Sequence, residues 1–377
     1  MARSPVAWAD ISPRLDELLL LSSEEQSRRL AEIATSDPDL SERLRDLLDT
    51  RDELSRVGFL AEPVASAFLP TSFQADDKIG AWTLVEPIGE GGMGSVWRAR
   101  RNDGRFEGEA AIKLLHLGLA SSAQERFRRE GAILASLRHP GIAQLLDAGI
   151  APQGVPYLVL ELVSGERIDR WCDARHLPLR ARVTLAIQVL DALAAAHGQL
   201  VIHRDLKPSN ILVDATGRVR LLDFGIAGLL PGAGMGETML TREGMPALTP
   251  AYAPPEQFES IGTDRTPSTA IDVYALGVVL HELLVGVHPS GLHNTGLVQY
   301  LQAAQRGPER RASDWARELV DGADSPEERA ARRATTVRGL AAALRGDLDA
   351  ILLKALAPKP ADRYGSVEAF AEDLRRH

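Results

Sequence analysis

A single cysteine, Cys172, stands in 377 residues, which excludes an intramolecular disulfide and points to a reducing compartment. The opening stretch, Met1 to Asp10, lacks the basic-then-apolar pattern of a secretory signal. No uninterrupted apolar run reaches membrane-spanning length. The two nearest candidates, Val183 to Ala196 and Val273 to Val287, are interrupted by Gln188 and Asp191 and by His281 and Glu282, and both read as buried helices of a soluble protein. Excess positive charge is missing too. With 43 Lys and Arg against 52 Asp and Glu, the net charge of −9 argues against nonspecific neutralisation of nucleic-acid phosphates. What is present is an ordinary composition, 45% hydrophobic and 25% charged, with enough apolar matter for a sizeable core. The length exceeds one average domain, which suggests a main fold with a smaller appended module.

The chain changes texture along its length. Up to about Leu69 it reads as helical. Trp8, Ile11, Leu15, Leu18 and Leu19 recur at helical spacing, and Ser22 with Glu25 has capping-box spacing ahead of Leu30 and Ile33. Asp37-Pro38 opens a third helix carrying Leu40, Leu44, Leu47 and Leu48. A bundle of three helices is expected over 1–70, then a linker over 71–79. From Trp82 strands dominate: Trp82 to Val85, Ser95 to Ala99 after a glycine-dense turn, Ala110 to Leu115, and Tyr157 to Glu161. Between them, Gln124 to Leu137 reads as a helix burying Phe127, Ile133, Leu134 and Leu137, with Arg126, Arg128 and Arg129 on its solvated face. Beyond Gly165 the chain is mainly helical. Strands first and helices afterwards predict an α+β architecture in two lobes, 80–163 and 164–377.

Three groups of residues carry chemistry. Gly89-Glu90-Gly91-Gly92-Met93-Gly94-Ser95-Val96 fits G-x-G-x-x-G-x-V, where missing side chains let backbone amides approach a phosphate. Alone this is a weak signal, but here the glycines lie between two strands instead of opening a helix, which disfavours a dinucleotide fingerprint. Lys113 ends an apolar strand, so its cation needs an acidic partner, and Glu130 on the following helix is the candidate. The third group is the densest. His203-Arg204-Asp205-Leu206-Lys207-Pro208-Ser209-Asn210 sets a carboxylate, a cation and an amide in one loop, and Asp223-Phe224-Gly225 follows the strand pair 211–213 and 219–222. Phosphoryl transfer needs a carboxylate to orient the attacking hydroxyl, cations to neutralise charge, and oxygen ligands for magnesium. Asp205 fits the first task, Lys207 the second, and Asn210 with Asp223 the third. His203 reads as a packed core histidine.

In the order and spacing of these motifs the chain resembles the eukaryotic-type (Hanks-type) serine/threonine protein kinases, over roughly Trp82 to Leu374. The resemblance implies a two-lobed kinase fold, β-rich then helical, preceded by the small helical module. It implies that ATP binds between the lobes. Ile88, Val96, Ala111 and Leu212 would sandwich the adenine, Leu160 would guard the back, and the backbone of Glu161 to Val163 would meet its edge. The glycine loop (Gly89, Gly91, Gly92, Met93, Gly94) would cover the phosphates with Lys113 beneath, and Asn210 and Asp223 would hold magnesium, with room for manganese instead. Leu134, Leu145, His203 and Phe224 match the apolar column that joins the lobes in active members. Lys207 and Thr249 match the serine/threonine class. Tyr252-Ala253-Pro254-Pro255-Glu256 matches the Ala-Pro-Glu element with proline for its alanine, Glu256 would pair with Arg363, and Asp272 would brace the catalytic loop.

The activation segment, Gly225 to Glu256, contains Thr238 and Thr241, one of which is expected to be autophosphorylated and to pair with Arg204. Gly228 replaces the second basic residue that would reinforce this. Gly286 to Leu353 is longer than the resemblance requires, and Glu327 to Arg345 reads as one additional charged helix. The glycine loop and Gly346-Asp347-Leu348-Asp349 look bacterial. Bacterial relatives often continue into a membrane segment, so the expected location is the cytoplasm, or the cytoplasmic part of a longer anchored protein. Expected partners are protein substrates bearing Ser or Thr, with no nucleic acid and no membrane within this chain. A regulator at the N-terminal helices and a homodimer both remain open. A pseudokinase scaffold is the alternative reading, and a small-molecule kinase of related fold is a third.

Overall fold

The computed structural model describes residues 28–30, 33–34, 40–41, 73–91, 94–101, 104, 107–115, 127, 131–151, 154–224, 249–259, 268–292 and 297–377. The chain divides into two units, Met1–Phe68 and Leu69–His377. In the first, the backbone is helical at 28–30, 33–34 and 40–41, with Leu30, Ile33 and Leu40 buried. There the Ser41 hydroxyl donates to the Leu30 carbonyl (2.9 Å). The rest of the expected three-helix bundle lies outside the described residues.

The second unit opens with an antiparallel sheet of six strands, β1 (Lys78–Ile79), β2 (Trp82–Gly91), β3 (Gly94–Arg101), β4 (Glu109–Leu115), β5 (Leu145–Ile150) and β6 (Pro156–Glu161), in the order β1-β2-β3-β4-β6-β5. Strand β4 explains how the sheet is buried. Its six residues from Ala110 to Leu115 are all buried, the pattern of a strand covered on both faces. Because side chains alternate, Ala110, Ile112 and Leu114 pack on one face with Trp82, Leu84, Trp97 and Val159. Leu115 packs on the other with Phe127, Leu145 and Leu158. Ala111 and Lys113 share that second face by the same alternation.

Strand β5 is not legible as a strand, since Asp147 and Gly149 interrupt it and most of it is exposed or half-exposed. Helix is found at 127 and over 131–136 (α1). Ile133 is 47% exposed, against expectation, whereas Phe127 is fully buried. Seven residues return Leu134 to the azimuth of Phe127, but Ile133 lies about 100° away from Leu134. Leu137 is buried but sits one residue beyond the helix.

A second sheet, β7 (Glu166–Arg167), β8 (Ile211–Val213) and β9 (Val219–Leu221), lies within a helical lobe. That lobe contains α2 (Ile168–Ala174), α3 (Leu179–His197), α4 (Pro255–Glu259), α5 (Ala270–Val285), α6 (Leu297–Arg306), α7 (Ala312–Trp315), α8 (Pro326–Ala331), α9 (Val337–Leu344), α10 (Asp347–Ala355) and α11 (Val367–Arg376). The two long apolar runs are buried helices, as expected. Helix α5 is apolar all round and buried on all sides, which suits a core helix. His281, which interrupts its run, bonds to the Val287 carbonyl (2.8 Å), and burial pushes its imidazole down to about 3, so it stays neutral.

The single charged helix expected over Glu327 to Arg345 is instead two, α8 and α9. Ala334 takes a left-handed turn (φ 54°), and the Thr336 hydroxyl then caps α9 by accepting from the Gly339 amide (3.1 Å). Nor is this a solvated face. Arg329 and Arg333 are almost wholly buried. Arg329 donates to the Trp315 and Glu318 carbonyls, while Arg333 and Arg182 finish helix α5. A helix ends with orphan carbonyls and a partial negative charge. Arg333 donates to the Glu282 and Leu284 carbonyls (3.0 and 2.8 Å), and Arg182 to that of Leu283 (2.9 Å). Gly286, at φ 90°, closes the turn by donating to Glu282.

Candidate active site

The loop 203–210 is held from below by Asp272 in the first turn of α5. Its carboxylate accepts from the His203 and Arg204 amides (2.8 and 2.9 Å) and sits 2.7 Å from His197 Nε2. Burial opposes its ionisation, but the bonds from His197 and the loop outweigh that and hold the carboxyl below its usual range. The amides need this support because Arg204 is held at φ 67°, a conformation uncommon for a side-chain-bearing residue. Gln257 adds a bond from its amide to the Arg204 carbonyl (2.9 Å). His203 is a packed core residue, 1% exposed, with its ring 4.7 Å from that of Phe224. Leu134 packs against both the cluster containing Leu145 and the cluster containing Phe224, so the column expected between the lobes is continuous at that point.

Above this base the polar side chains converge. Lys207 Nζ lies 2.7 Å from Asp205 Oδ2 and donates to the Thr249 hydroxyl (2.6 Å), which in turn donates to Asp205 Oδ1 (3.1 Å). Asn210 donates its amide to the Asp205 carbonyl (2.8 Å), which leaves its own side-chain carbonyl facing away as a hard oxygen donor. The Leu222 amide donates to the Asn210 carbonyl (2.9 Å), tying this loop to the approach of Asp223. Asp223 takes φ 57°, and its carboxylate pairs with Lys113 Nζ (2.8 Å), which is 7% exposed in the otherwise apolar run from Ala110 to Leu115 of strand β4. Lys113 thus has an acidic partner; Glu130, the partner expected from sequence, lies outside the described residues.

Register places the remaining site residues. Gly89 pairs with Val96, Val96 with Lys113, and Ala111 with Leu160. Residues paired across strands share a face, so Gly89, Val96, Ala111, Lys113 and Leu160 line the side of the sheet that carries the Lys113–Asp223 pair. Ile88 is the extra residue of a bulge between Pro87 and Gly89 and is 48% exposed. Leu212 lies on β8, half-buried. Gly91 pairs with Gly94 to close the hairpin, and Gly92 and Met93 lie outside the described residues.

The glycines differ in what demands them. At Gly94 (φ 154°) a Cβ would stand 2.0 Å from the Leu114 carbonyl, so packing alone requires glycine there. At Gly89 a Cβ would meet only Val96, at an ordinary 3.8 Å, so the protein itself leaves that space open and an anion can approach the backbone. At the end of β6 the Glu161 amide donates to the Gln144 carbonyl (2.8 Å), and the strand continues without regular structure through Val163. Thr238, Thr241 and Gly228 lie outside the described residues.

Glu256 and Arg363 form a two-pronged ion pair (2.5 and 2.9 Å), as the motif implied. Several supports had no signal in the sequence. His197 is one, and the Tyr252 hydroxyl donating to Glu282 (2.9 Å) is another. Burial pushes the Glu282 carboxyl up to about 7, against the lowering effect of that hydroxyl. A carboxyl raised in the folded state stabilises below its unfolded pKa, and this contribution is lost as pH rises through the folded value. Urea unfolding should therefore show stability falling by up to about 3 kcal/mol between pH 5 and 8, and Glu282→Gln should flatten that part of the profile. An unchanged slope in the variant would place the titration elsewhere.

The fold and the converging acid, cation and amide define a two-lobed kinase architecture. The protein kinase domain family matches residues 82–374, and the chain belongs to it. Similar curated proteins include bacterial kinases. One is the DNA damage-responsive serine/threonine-protein kinase RqkA of Deinococcus radiodurans, 38% identical over 213 residues, 56% of this chain and 30% of that one. Another is the serine/threonine-protein kinase pkn3 of Myxococcus xanthus, 33% identical over 298 residues, 76% of this chain and 48% of that one. A third is the serine/threonine-protein kinase PknA of Mycobacterium tuberculosis, 39% identical and covering 56% of this chain and 48% of that one. The chain thus spans less than half the length of these relatives. The crystal structure of the Mycobacterium tuberculosis PknI kinase domain shares the fold, with a TM-score of 0.56 at 24% identity, covering 81% of this chain and 99% of that domain.

Proposed function

We propose that this chain transfers the γ-phosphoryl group of ATP to serine or threonine hydroxyls of proteins, in the cytoplasm, with 80–163 and 164–377 as its two lobes. The observation that carries the reading is the triangle of Asp205, Lys207 and Thr249 beside the Lys113–Asp223 pair. Asp205 accepts a hydrogen bond from the acceptor hydroxyl and takes its proton. Lys207 faces the moving phosphoryl group, and Lys113 holds the phosphates further back. The backbone at Gly89 and Gly91 to Gly94 covers the phosphates, while Ile88, Val96, Ala111 and Leu212 enclose the base. Since the Glu161 amide is already committed to Gln144, the amide of Val163 donates to the adenine edge, and the Glu161 carbonyl accepts. The Asn210 side-chain carbonyl and the Asp223 carboxylate are the hard oxygen donors that magnesium prefers. Magnesium supplies neutralisation of phosphate charge there. Were Asp223 to hold the metal, Glu130 would be the acidic partner left for Lys113.

The N-terminal unit, 1–70 with its linker 71–79, is the place for a regulatory partner. The test uses the full chain with radiolabelled ATP, magnesium and peptide pools that differ only in the acceptor. Label on serine and threonine pools and none on tyrosine is expected. Label confined to tyrosine would overturn the class, and none on any pool or on the chain itself would favour a nucleotide-binding scaffold.

A further inference from the structure

Behind the strand end that carries Glu161 lies a second cavity, of 470 Å³, into which none of Lys113, Asp205, Lys207 or Asp223 projects. Its walls come from the segment 138–144 on one side and the β8–β9 turn on the other. These are locked together by a parallel bridge between Ile142 and Leu221, with bonds from the Leu221 amide to Gly141 (2.7 Å) and from the Ala143 amide to Leu221 (2.8 Å). The site is therefore preformed on rigid backbone.

Its charge is unbalanced. Arg138, Arg218 and Arg220 face the carboxylates of Glu161 and Asp214. Both carboxylates are already engaged. Glu161 pairs with Arg220 (2.5 Å) and accepts from the Gln144 amide (3.3 Å). Asp214 accepts from the Thr216 hydroxyl (2.6 Å), the Thr216 amide (2.8 Å) and the Arg218 amide (3.0 Å) of its own turn, and these bonds, the hydroxyl first, hold it below the usual carboxylate range. Arg138 and Arg218 are exposed and form no ion pair among the described residues. Because the Gly141 amide donates to His139 Nδ1 (3.1 Å), the ring offers its Nε2–H as a further donor. On a chain of net charge −9 this is a local surplus of cation and donor.

We propose that this cavity is a docking groove for an acidic segment of the protein substrate, held by Arg138 and Arg218. Guanidinium forks suit carboxylates, and arginine clusters are a recurring means of recognising acidic motifs. Small-molecule sites are mostly apolar, whereas Pro140 and Ile142 are the apolar residues among these charged walls. The volume also exceeds what a lone inorganic anion fills. The proposal rests on the kinase reading for the identity of the bound protein, but its binding test does not.

A fluorescein-labelled Asp/Glu-rich peptide should bind the full chain, more weakly as salt is raised, and Arg138→Glu/Arg218→Glu should weaken binding at least about tenfold. Joining the acidic run to a serine acceptor through a Gly/Ser linker should lower KM, and the double variant should erase that gain while kcat/KM for the acceptor alone is unchanged. Equal binding by the double variant, or no binding by the unaltered chain, overturns the groove. Displacement by inorganic phosphate as effective as by unlabelled peptide also overturns it, in favour of a small-anion site. If turnover is absent but charge-dependent peptide binding persists, the kinase reading fails and the groove stands.

Discussion

Replacing Asp205 with asparagine lowers phosphoryl transfer by about 100- to 10,000-fold, the range that a positioned general base contributes. The size follows from what the substitution keeps. Asparagine preserves the shape, and its carbonyl can still accept from the Thr249 hydroxyl, which bonds Asp205 Oδ1 at 3.1 Å. It cannot take a proton from an attacking hydroxyl. It also loses the ion pair with Lys207, 2.7 Å away, and turns an amide N–H toward that cation. The site is partly open to water, with the two side chains 20% and 25% exposed, so repulsion is screened and the fold should lose no more than about 1 kcal/mol. The loss should therefore fall on kcat, with the KM for ATP nearly unchanged, because the proposed role of Asp205 is toward the acceptor and not the nucleotide. Single-turnover measurement on folded variant protein checks this. Equal kcat in variant and parent would remove Asp205 from the chemistry and revive the scaffold reading.

The parts of this site that were legible in sequence are those whose partners are close in the chain or whose burial shows as a run. Asp205, Lys207 and Asn210 lie within one loop, so their chemistry declares itself locally. From Ala110 to Leu115, strand β4 is an unbroken apolar run apart from Lys113, and helices α3 and α5 are apolar over most of their length. Other features depend on partners far away. His197 reaches Asp272 across 75 positions, and nothing near His197 marks it as more than a helix end. Arg182, Arg329 and Arg333 have the sequence neighbourhood of solvated surface arginines, and only carbonyls outside their own helices give them a reason to be buried: those at the end of α5 for Arg182 and Arg333, and those of Trp315 and Glu318 for Arg329. Ile133 failed for a different reason, since helical spacing gives periodicity but does not say which of two neighbouring azimuths faces the sheet. In the glycine loop, the pattern alone could not separate Gly94, required by the Leu114 carbonyl, from Gly89, which packing leaves free.

Arg363→Ala should destabilise the protein by about 3–5 kcal/mol, the cost of breaking a buried ion pair from one side. The guanidinium has five N–H donors, and every one is used. Nη1 donates to Glu256 Oε1 (2.5 Å) and the Ala270 carbonyl (2.9 Å), Nη2 to Glu256 Oε2 (2.9 Å) and the Pro358 carbonyl (2.8 Å), and Nε to the Ala357 carbonyl (2.7 Å). The side chain is 0% exposed and lies 4.9 Å from the centre of the Tyr274 ring. Alanine would remove every one of these donors from three carbonyls and from the Glu256 carboxylate, whose side chain is only 20% exposed. At about 2–4 °C per kcal/mol for a domain of this size, the midpoint should fall by roughly 10 °C. Calorimetry of the full chain measures it, and a shift under about 2 °C would show that water reaches the pair. The combined variant Glu256→Gln/Arg363→Met should lose less than the sum of the two singles, because it leaves no unpaired charge behind. The effect should also reach the substrate. Glu256 sits in α4 beside Gln257, which bonds the Arg204 carbonyl, so freeing α4 removes a support from the loop carrying Asp205. Peptide KM should rise in Arg363→Ala at temperatures where the protein is still folded.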